Sequence, residues 1–532
     1  MKAYPVKPPS VDSIVDPNRY QKDFFYLKAL GEEVFPLQDR YFPPDKRAAM
    51  ETEILRKLGT PDCSYETFLF SIRSYLAAFN NEHARIEYSP RDLRLTNLYP
   101  FRIHYVSNEV YLMDIAREYD RSLIGQKITS INDQPVSAVE QKLFTFVSAE
   151  NLWTKRKGLD PFGYSQPEFY RLLGLISSAT NSIQLEFAAH PSVSIAPRSN
   201  PNFQWHGLSP PAHLITARSP HQYDCRVFPE EHFAYLQFNA CFDKAAILDG
   251  LSMVKPWVRP LVRSWLAIQF HRKKPSTVLK GIYDPERPFL RDYLATAIGD
   301  INRQGITNLI IDVRRNGGGE MTLVNQLVYF LTLRDDLRSA REFKYNPKVY
   351  GYYDPKGFKE YRQWYLKEFG AEPPFKKLLP TKERPFFADI TDRKSVYYVP
   401  PDRPVFNGRI IVLANQNTGS AAARLCQLMQ DNRLAEIIGT TTKSNPTGPN
   451  GMTPLKLPES GILISLPSEY YERSVPANGE ILQPDYWIEN SVADVQNGRD
   501  AAFEKASELL HVERSVASEW RHMARATVRQ KK

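Results

Sequence analysis

The sequence predicts an α/β fold within a multidomain α+β chain, and three patterns carry that expectation. Short apolar, β-branched runs at 309–313 and 410–414 each end in a polar turn. Amphipathic stretches at 290–303, 321–333 and 421–430 alternate with those runs, as helices do around a largely parallel sheet. The first ninety residues, by contrast, read as helical, and the next hundred as short strands with turn residues between them.

The N-terminal helical domain spans 1–90. Its clearest helix places Tyr65, Phe68, Leu69, Ile72, Tyr75, Leu76 and Phe79 on one face, with Ser64 or Asp62 as the N-cap. That helix runs into Asn80-Asn-Glu-His-Ala-Arg-Ile86. A β-rich module follows at 91–190, in which 102–106 and 110–113 flank a Ser107-Asn108 hairpin turn. Residues 191–225 are Pro-rich and read as a linker. The α/β core then occupies 226–510, opening with a strand at 232–238 and interrupted by an aromatic- and Pro-rich insertion at 340–403. The tail, 511–532, is basic.

Composition narrows the function. A chain of 532 residues with 42% hydrophobic and 24% charged residues has the make-up of a globular protein with sizeable cores. The net charge of +9 is small for that length, so no nucleic-acid partner is expected. Cys63, Cys225, Cys241 and Cys426 lack metal-type spacing and read as reduced thiols. No apolar run is long enough for a membrane span, and the N-terminus lacks the apolar stretch of a secretory signal. The expected compartment is cytoplasmic, or extracytoplasmic if a leader has been trimmed away.

Two turns carry chemistry. The run at 409–414 leads through Asn-Gln-Asn-Thr-Gly419 to Ser420 and a helix, a strand–turn–helix arrangement that resembles a nucleophile elbow although Gly-x-Ser-x-Gly is absent. At a helix N-terminus the free N–H groups and the dipole favour developing negative charge, which makes Ala421 N–H an oxyanion donor. Ser420 could equally serve only as an N-cap. The second turn, Gly317-Gly-Gly319, follows a strand end bearing Asp312 and Arg314, and can bring backbone N–H groups close to a ligand. A serine nucleophile also needs a base, and His83 is one of ten histidines that could supply it.

Together these residues resemble the C-terminal-processing (tail-specific) serine protease family. Asn308 to Gly319 is similar to the family's strand and Asp-x-Arg-x-Asn-x-Gly-Gly turn, and Arg409 to Gly439 to its nucleophile strand, Ser-Ala and Gln430-Asp431 pair. Ile124 to Val136 resembles part of its PDZ-like module, and Gly479 to Asp485 its late Gly-x-x-Pro-Asp segment. The resemblance implies a crotonase/ClpP-like core with an inserted PDZ-like module. It also departs from the bacterial Ser–Lys branch, whose lysine lies 25 residues after the serine: 420 + 25 gives 445, which is Asn. Lys443 is the nearest lysine, an alternative base if the loop is remodelled. The acidic residue expected three positions after the nucleophile is replaced by Ala423.

The chain is more similar to the Ser-His-Glu branch that includes the tricorn protease core and chlamydial protease-like activity factor. That resemblance implies Ser420 as nucleophile, His83 as base, and Glu480, 60 residues on (480 − 420), as orienter of the imidazole. Glu469, Glu472 and Asp485 are neighbouring alternatives. It further implies an oxyanion hole from Ala421 with Gly318, or Gly319 for the second donor. The expected substrate is a polypeptide, and whether the PDZ-like module recognises its C-terminus or gates the site is left open; no metal or organic cofactor is called for. A homo-oligomer is left open, as is a binding protein on the same fold that has lost catalysis.

Overall fold

The computed structural model describes residues 17–88, 97–160, 163–198, 203–207, 219–252, 289–475 and 481–510, with Tyr4, Thr216 and Val258. The chain alternates between two units. One comprises Met1–Leu208, Ala340–Glu383 and Thr447–Ser474; the other comprises Ser209–Ser339, Arg384–Pro446 and Val475–Lys532.

The first unit begins with helices Arg19–Val34, Pro44–Leu58 and Tyr65–Ala77. Asn18 caps the first through a capping box, and Ser64 caps the third by accepting the Thr67 N–H at 3.0 Å. Their apolar faces meet in an aromatic core in which Phe24, Phe35, Phe68, Tyr75 and Phe79 are fully enclosed. A small antiparallel sheet adds to this core: Arg85–Tyr88 pairs with Leu463–Leu466, which pairs with Thr453–Lys456. Sequence-distant strands therefore complete the environment of the segment that carries His83.

Among its described residues the β module contains two small sheets. Phe101–Val106 and Glu109–Ala116 form the expected hairpin, with both turn residues, Ser107 and Asn108, at positive φ as a type I′ turn requires. Asn132 and Asp133 make a second such turn between Ile128–Ile131 and Gln134–Pro135. The Pro-rich stretch after 190 contributes strands of its own, Val193–Ile195 and Trp205–Gly207, which pair into these sheets. Residues 340–383 also belong to this unit, through strand Arg341–Lys344 and helices Pro347–Tyr353 and Pro355–Phe369.

The second unit is built on a six-stranded sheet in the order Tyr486–Trp487, Glu436–Gly439, Arg409–Ala414, Asn308–Asp312, Phe233–Phe238, Tyr223–Phe228. All neighbours are parallel except the last pair. Alternate residues face opposite layers. Leu236, Leu309, Ile311, Ile410 and Val412 join one core with the helices Leu290–Arg303, Met321–Tyr329 and Ser420–Asp431. Tyr235, Ile310, Ile411, Leu413 and Ile438 join another with Ala502 and Ala506 of the helix Ala501–Leu509. Covering both faces explains why these strands are apolar throughout.

The helix expected over 321–333 stops at Tyr329. Its terminal carbonyls are taken from outside: Arg403 Nε donates to Tyr329 O at 2.7 Å and Phe406 N–H to Phe330 O at 2.9 Å. Those bonds satisfy groups that another helical turn would have needed.

Candidate active site

Both motif turns leave the C-terminal ends of adjacent parallel strands, where open α/β sheets form their clefts. The turns are stitched to each other. Thr418 Oγ1 donates to Val313 O at 3.0 Å, and Gly419 N–H donates to Asn316 O at 3.0 Å. The buried Asn316 side chain spans the first turn, with Nδ2 donating to Phe238 O at 2.9 Å and Oδ1 accepting Gly318 N–H at 2.9 Å. Beneath it, Arg314 makes two-pronged contacts to Asp312 (3.0 and 2.7 Å) and Asp500 (2.8 and 2.8 Å), and Tyr235 OH donates to Asp312 at 2.6 Å. A guanidinium held by two carboxylates fixes the strand end from which the glycines project.

Gly318 and Gly319 have φ of 105° and 136°, so neither position tolerates a side chain without strain. A Cβ on Gly318 would sit 2.6 Å from Ser420 Cβ and 3.0 Å from Ala421 N. The glycine turn therefore lies directly against the serine turn. Gly318 N–H is occupied by Asn316 Oδ1. Cys241 pairs as a parallel bridge with Gly319, donating to Gly318 O at 3.1 Å and accepting from Glu320 N–H at 2.7 Å. In that pattern the N–H of Gly319 itself points away from Cys241. Among the described residues neither Gly319 N–H nor Ala421 N–H donates a hydrogen bond.

Ser420 is not the N-cap. Gly419 occupies that position, the cap has no side-chain hydrogen bond, and Ser420 is the first helical residue. Its φ is 47°, a left-handed conformation that costs a serine roughly 1–3 kcal/mol and that surrounding structure must enforce. The enforcing bonds are visible: Ser420 N–H donates to Ser444 Oγ at 2.6 Å, and the flanking Gly419 is held by Asn316. Lys443 N–H donates to Thr418 O at 2.8 Å, which keeps the 441–446 loop on this turn. The stem of Lys443 follows, its Cδ lying 3.2 Å from where a Cβ on Gly419 would be.

His83 lies in the first unit, at the third position of a turn closed by Ala84 N–H donating to Asn81 O at 3.2 Å. It is almost fully buried, and its backbone is pinned from both sides. His83 N–H donates to Asn81 Oδ1 at 2.9 Å, and His83 O accepts Ser465 Oγ–H at 2.6 Å. One ligand atom each from Glu82, His83 and Glu150 lie within 4.8 Å of one another. Such a set has the donor chemistry to bracket a cation; equally, it surrounds an imidazole with negative charge.

Of the carboxylates weighed as orienter, Glu480 falls outside the described residues. Three alternatives are committed elsewhere. Glu469 pairs with Lys344, Glu472 pairs with Arg341 at 2.5 Å, and Asp485 accepts Ile437 N–H at 2.7 Å. Asn81, Glu150, Asn316 and Ser444 were not singled out by sequence. Asn316 sits inside the Asp-x-Arg-x-Asn motif and could have been. Glu150, far from His83 along the chain, gives no sequence signal.

Residues 289–487 match the model of peptidase family S41. Over that segment the chain is similar to that family. It is accordingly a serine-type peptidase with the S41 fold, acting on polypeptides. The fold is also seen in mature CPAF complexed with lactacystin (TM-score 0.60, 14% identity, 92% of this chain and 97% of that chain). Mature CPAF alone gives TM-score 0.59 at 14% identity, over 92% of this chain and 96% of that chain. No curated protein sequence matches the chain. Among its described residues no helix is long and apolar enough to cross a membrane.

Proposed function

We propose that this S41 peptidase is an endopeptidase that works through an acyl-enzyme on Ser420, with His83 as its base. The observation that carries the reading is the Ser420 turn. A serine held at φ 47°, excused from capping, sits at a helix N-terminus beside two unspent N–H groups, those of Ala421 and Gly319. In the proposed reaction His83 takes the Ser420 proton as Oγ bonds to the scissile carbonyl carbon. Ala421 N–H and Gly319 N–H stabilise the oxyanion, while Gly318 supplies the close approach rather than the second donor. Collapse breaks the C–N bond, with His83 returning the proton to the amine, and water then releases the acyl group. Glu480 is retained as one candidate for orienting the imidazole.

A second reading has a specific observation behind it: the Lys443 stem lies alongside Gly419, next to the nucleophile. A Ser–Lys dyad would use that amine in place of His83. One experiment separates the readings. Fluorophosphonate labelling and casein hydrolysis are measured for Ser420→Ala, His83→Ala and Lys443→Ala. We expect Ser420→Ala to abolish labelling, His83→Ala to lower kcat/KM by about 10³-fold or more, and Lys443→Ala to keep the larger part of it. The reverse order of the last two assigns the base to Lys443. Absence of labelling in the wild-type chain would remove the acyl-enzyme.

A further inference from the structure

We infer that Glu150 is the carboxylate that positions His83, an inference that rests on the assignment of His83 as base. A neutral imidazole serving as base must present one nitrogen to the serine, and a carboxylate at the other fixes the tautomer and stabilises the imidazolium formed on proton transfer. Among the described residues, Glu82 and Glu150 are the carboxylates grouped with the His83 ring, every pair of ligand atoms within 4.8 Å.

Glu150 is distinguished by how it is held. Asn81, fully buried, uses its whole side chain to build this corner. Its Oδ1 accepts His83 N–H at 2.9 Å, and its Nδ2 donates to Glu150 Oε1 at 3.0 Å and to Pro449 O at 2.9 Å. A single rigid amide thus sets the backbone of the histidine and the carboxylate of Glu150 in one frame. The segment leading to Glu150 is tied down as well. Ser148 Oγ donates to Ala84 O, next to His83, at 2.7 Å, and Arg73 Nε donates to Phe146 O at 2.9 Å. Glu82, in contrast, shares the histidine's own turn, so it does not bring a second segment of the chain to the ring. Among the described residues, further charged or titratable groups around this corner include Glu87, which accepts from Ser465 Oγ at 2.8 Å, Arg85 on Glu87, Lys155, which donates to Asn80 at 3.0 Å, and Tyr41, which feels the Glu150 charge. Asn81 thus builds the geometry that an orienting carboxylate needs.

The sign of the effect follows. A carboxylate beside an imidazole favours the charged ring, so neutralising it lowers the histidine pKa. The test uses the full chain with Glu150→Gln, Glu150→Asp, Glu82→Gln and Glu480→Gln, reading fluorophosphonate labelling and peptide hydrolysis across pH. Glu150→Gln is expected to lower kcat about 10²-fold and to move the acidic limb of kcat/KM down by about one pH unit. Glu150→Asp should recover part of the rate and return the limb toward that of the wild type. A purely structural loss would scale the profile without moving that limb, and would overturn the inference. So would an unmoved limb in both Glu150 variants while Glu82→Gln or Glu480→Gln shifts it. Activity lost to EDTA and restored by a divalent cation would instead make the cluster a metal site, again overturning it. If His83→Ala stays fully active, the assignment of the base fails first. If His83→Ala is inactive and both Glu150 variants behave as wild type, only the present inference falls.

Discussion

At the residue scale, the site turns on backbone angles that most side chains refuse. Ser420 pays a conformational cost for its position, and that cost can be measured. Ser420→Gly removes the strain and the nucleophile together, whereas Ser420→Ala removes only the nucleophile. We expect both to be inactive, with the glycine variant more stable than the alanine variant by about 1 kcal/mol in urea unfolding. Equal stability would mean that the left-handed turn is not strained. Gly318 gives the complementary case. A methyl group there meets Ser420 Cβ at 2.6 Å and Gly419 O at 2.8 Å, backbone-borne atoms with nowhere to retreat. Gly318→Ala should therefore lower kcat by 10²-fold or more, on the order of losing an oxyanion donor, with a normal circular-dichroism spectrum. Near-normal kcat in that variant would separate the glycine turn from catalysis.

At the scale of elements, two strand ends and their turns behave as one piece because Asn316 joins them. Asn316→Ala leaves the part-buried Gly318 N–H and the buried Phe238 O without their partner, at a cost of about 2 kcal/mol. It also frees the glycine turn, so kcat should fall further than stability alone explains; a stability loss with unchanged kcat would refute the coupling. These elements were legible in the sequence where period and turn chemistry act locally. The parallel strands were read from continuous apolar runs, the Ser107-Asn108 hairpin from its turn residues, and the Ser64 cap from its position before an amphipathic helix. Neither the N-cap role of Gly419 nor the positive φ of Ser420 is visible in a motif, because bonds from Ser444 and Asn316 impose them. The surroundings of His83 were equally hidden: Ser465 and Glu150 reach it through tertiary pairing that no local pattern encodes. The strands at 193–195 and 205–207 were obscured by their prolines, since they pair as short edge pieces that tolerate them.

At the scale of the whole molecule, buried polar groups decide how the chain responds to solvent. Burial pushes the thiols of Cys225, Cys241 and Cys426 up to about 12, so they are inert at neutral pH. Iodoacetamide should modify at most Cys63 in the native chain and all four after denaturation, read by intact mass. Acid acts through the ion pairs. Burial alone would push the Asp500 carboxyl up, but the Arg314 charge and its two hydrogen bonds overcome this and hold it below the usual carboxylate range. A folded-state value below the unfolded one means the pair's stabilisation is fully present above the ordinary aspartate pKa of about 4. It is lost as pH falls through the depressed value. This pair joins the last described helix, Ala501–Leu509, to the strand end that carries the glycine turn, so its loss should loosen the second unit's core and the oxyanion turn together. Asp500→Asn should accordingly cost about 3 kcal/mol at pH 7, less than an unpaired buried guanidinium because Asp312 remains, and the urea midpoints of variant and wild type should converge as pH falls toward 2. Parallel pH dependences would show that Asp500 is not the group whose protonation begins acid unfolding.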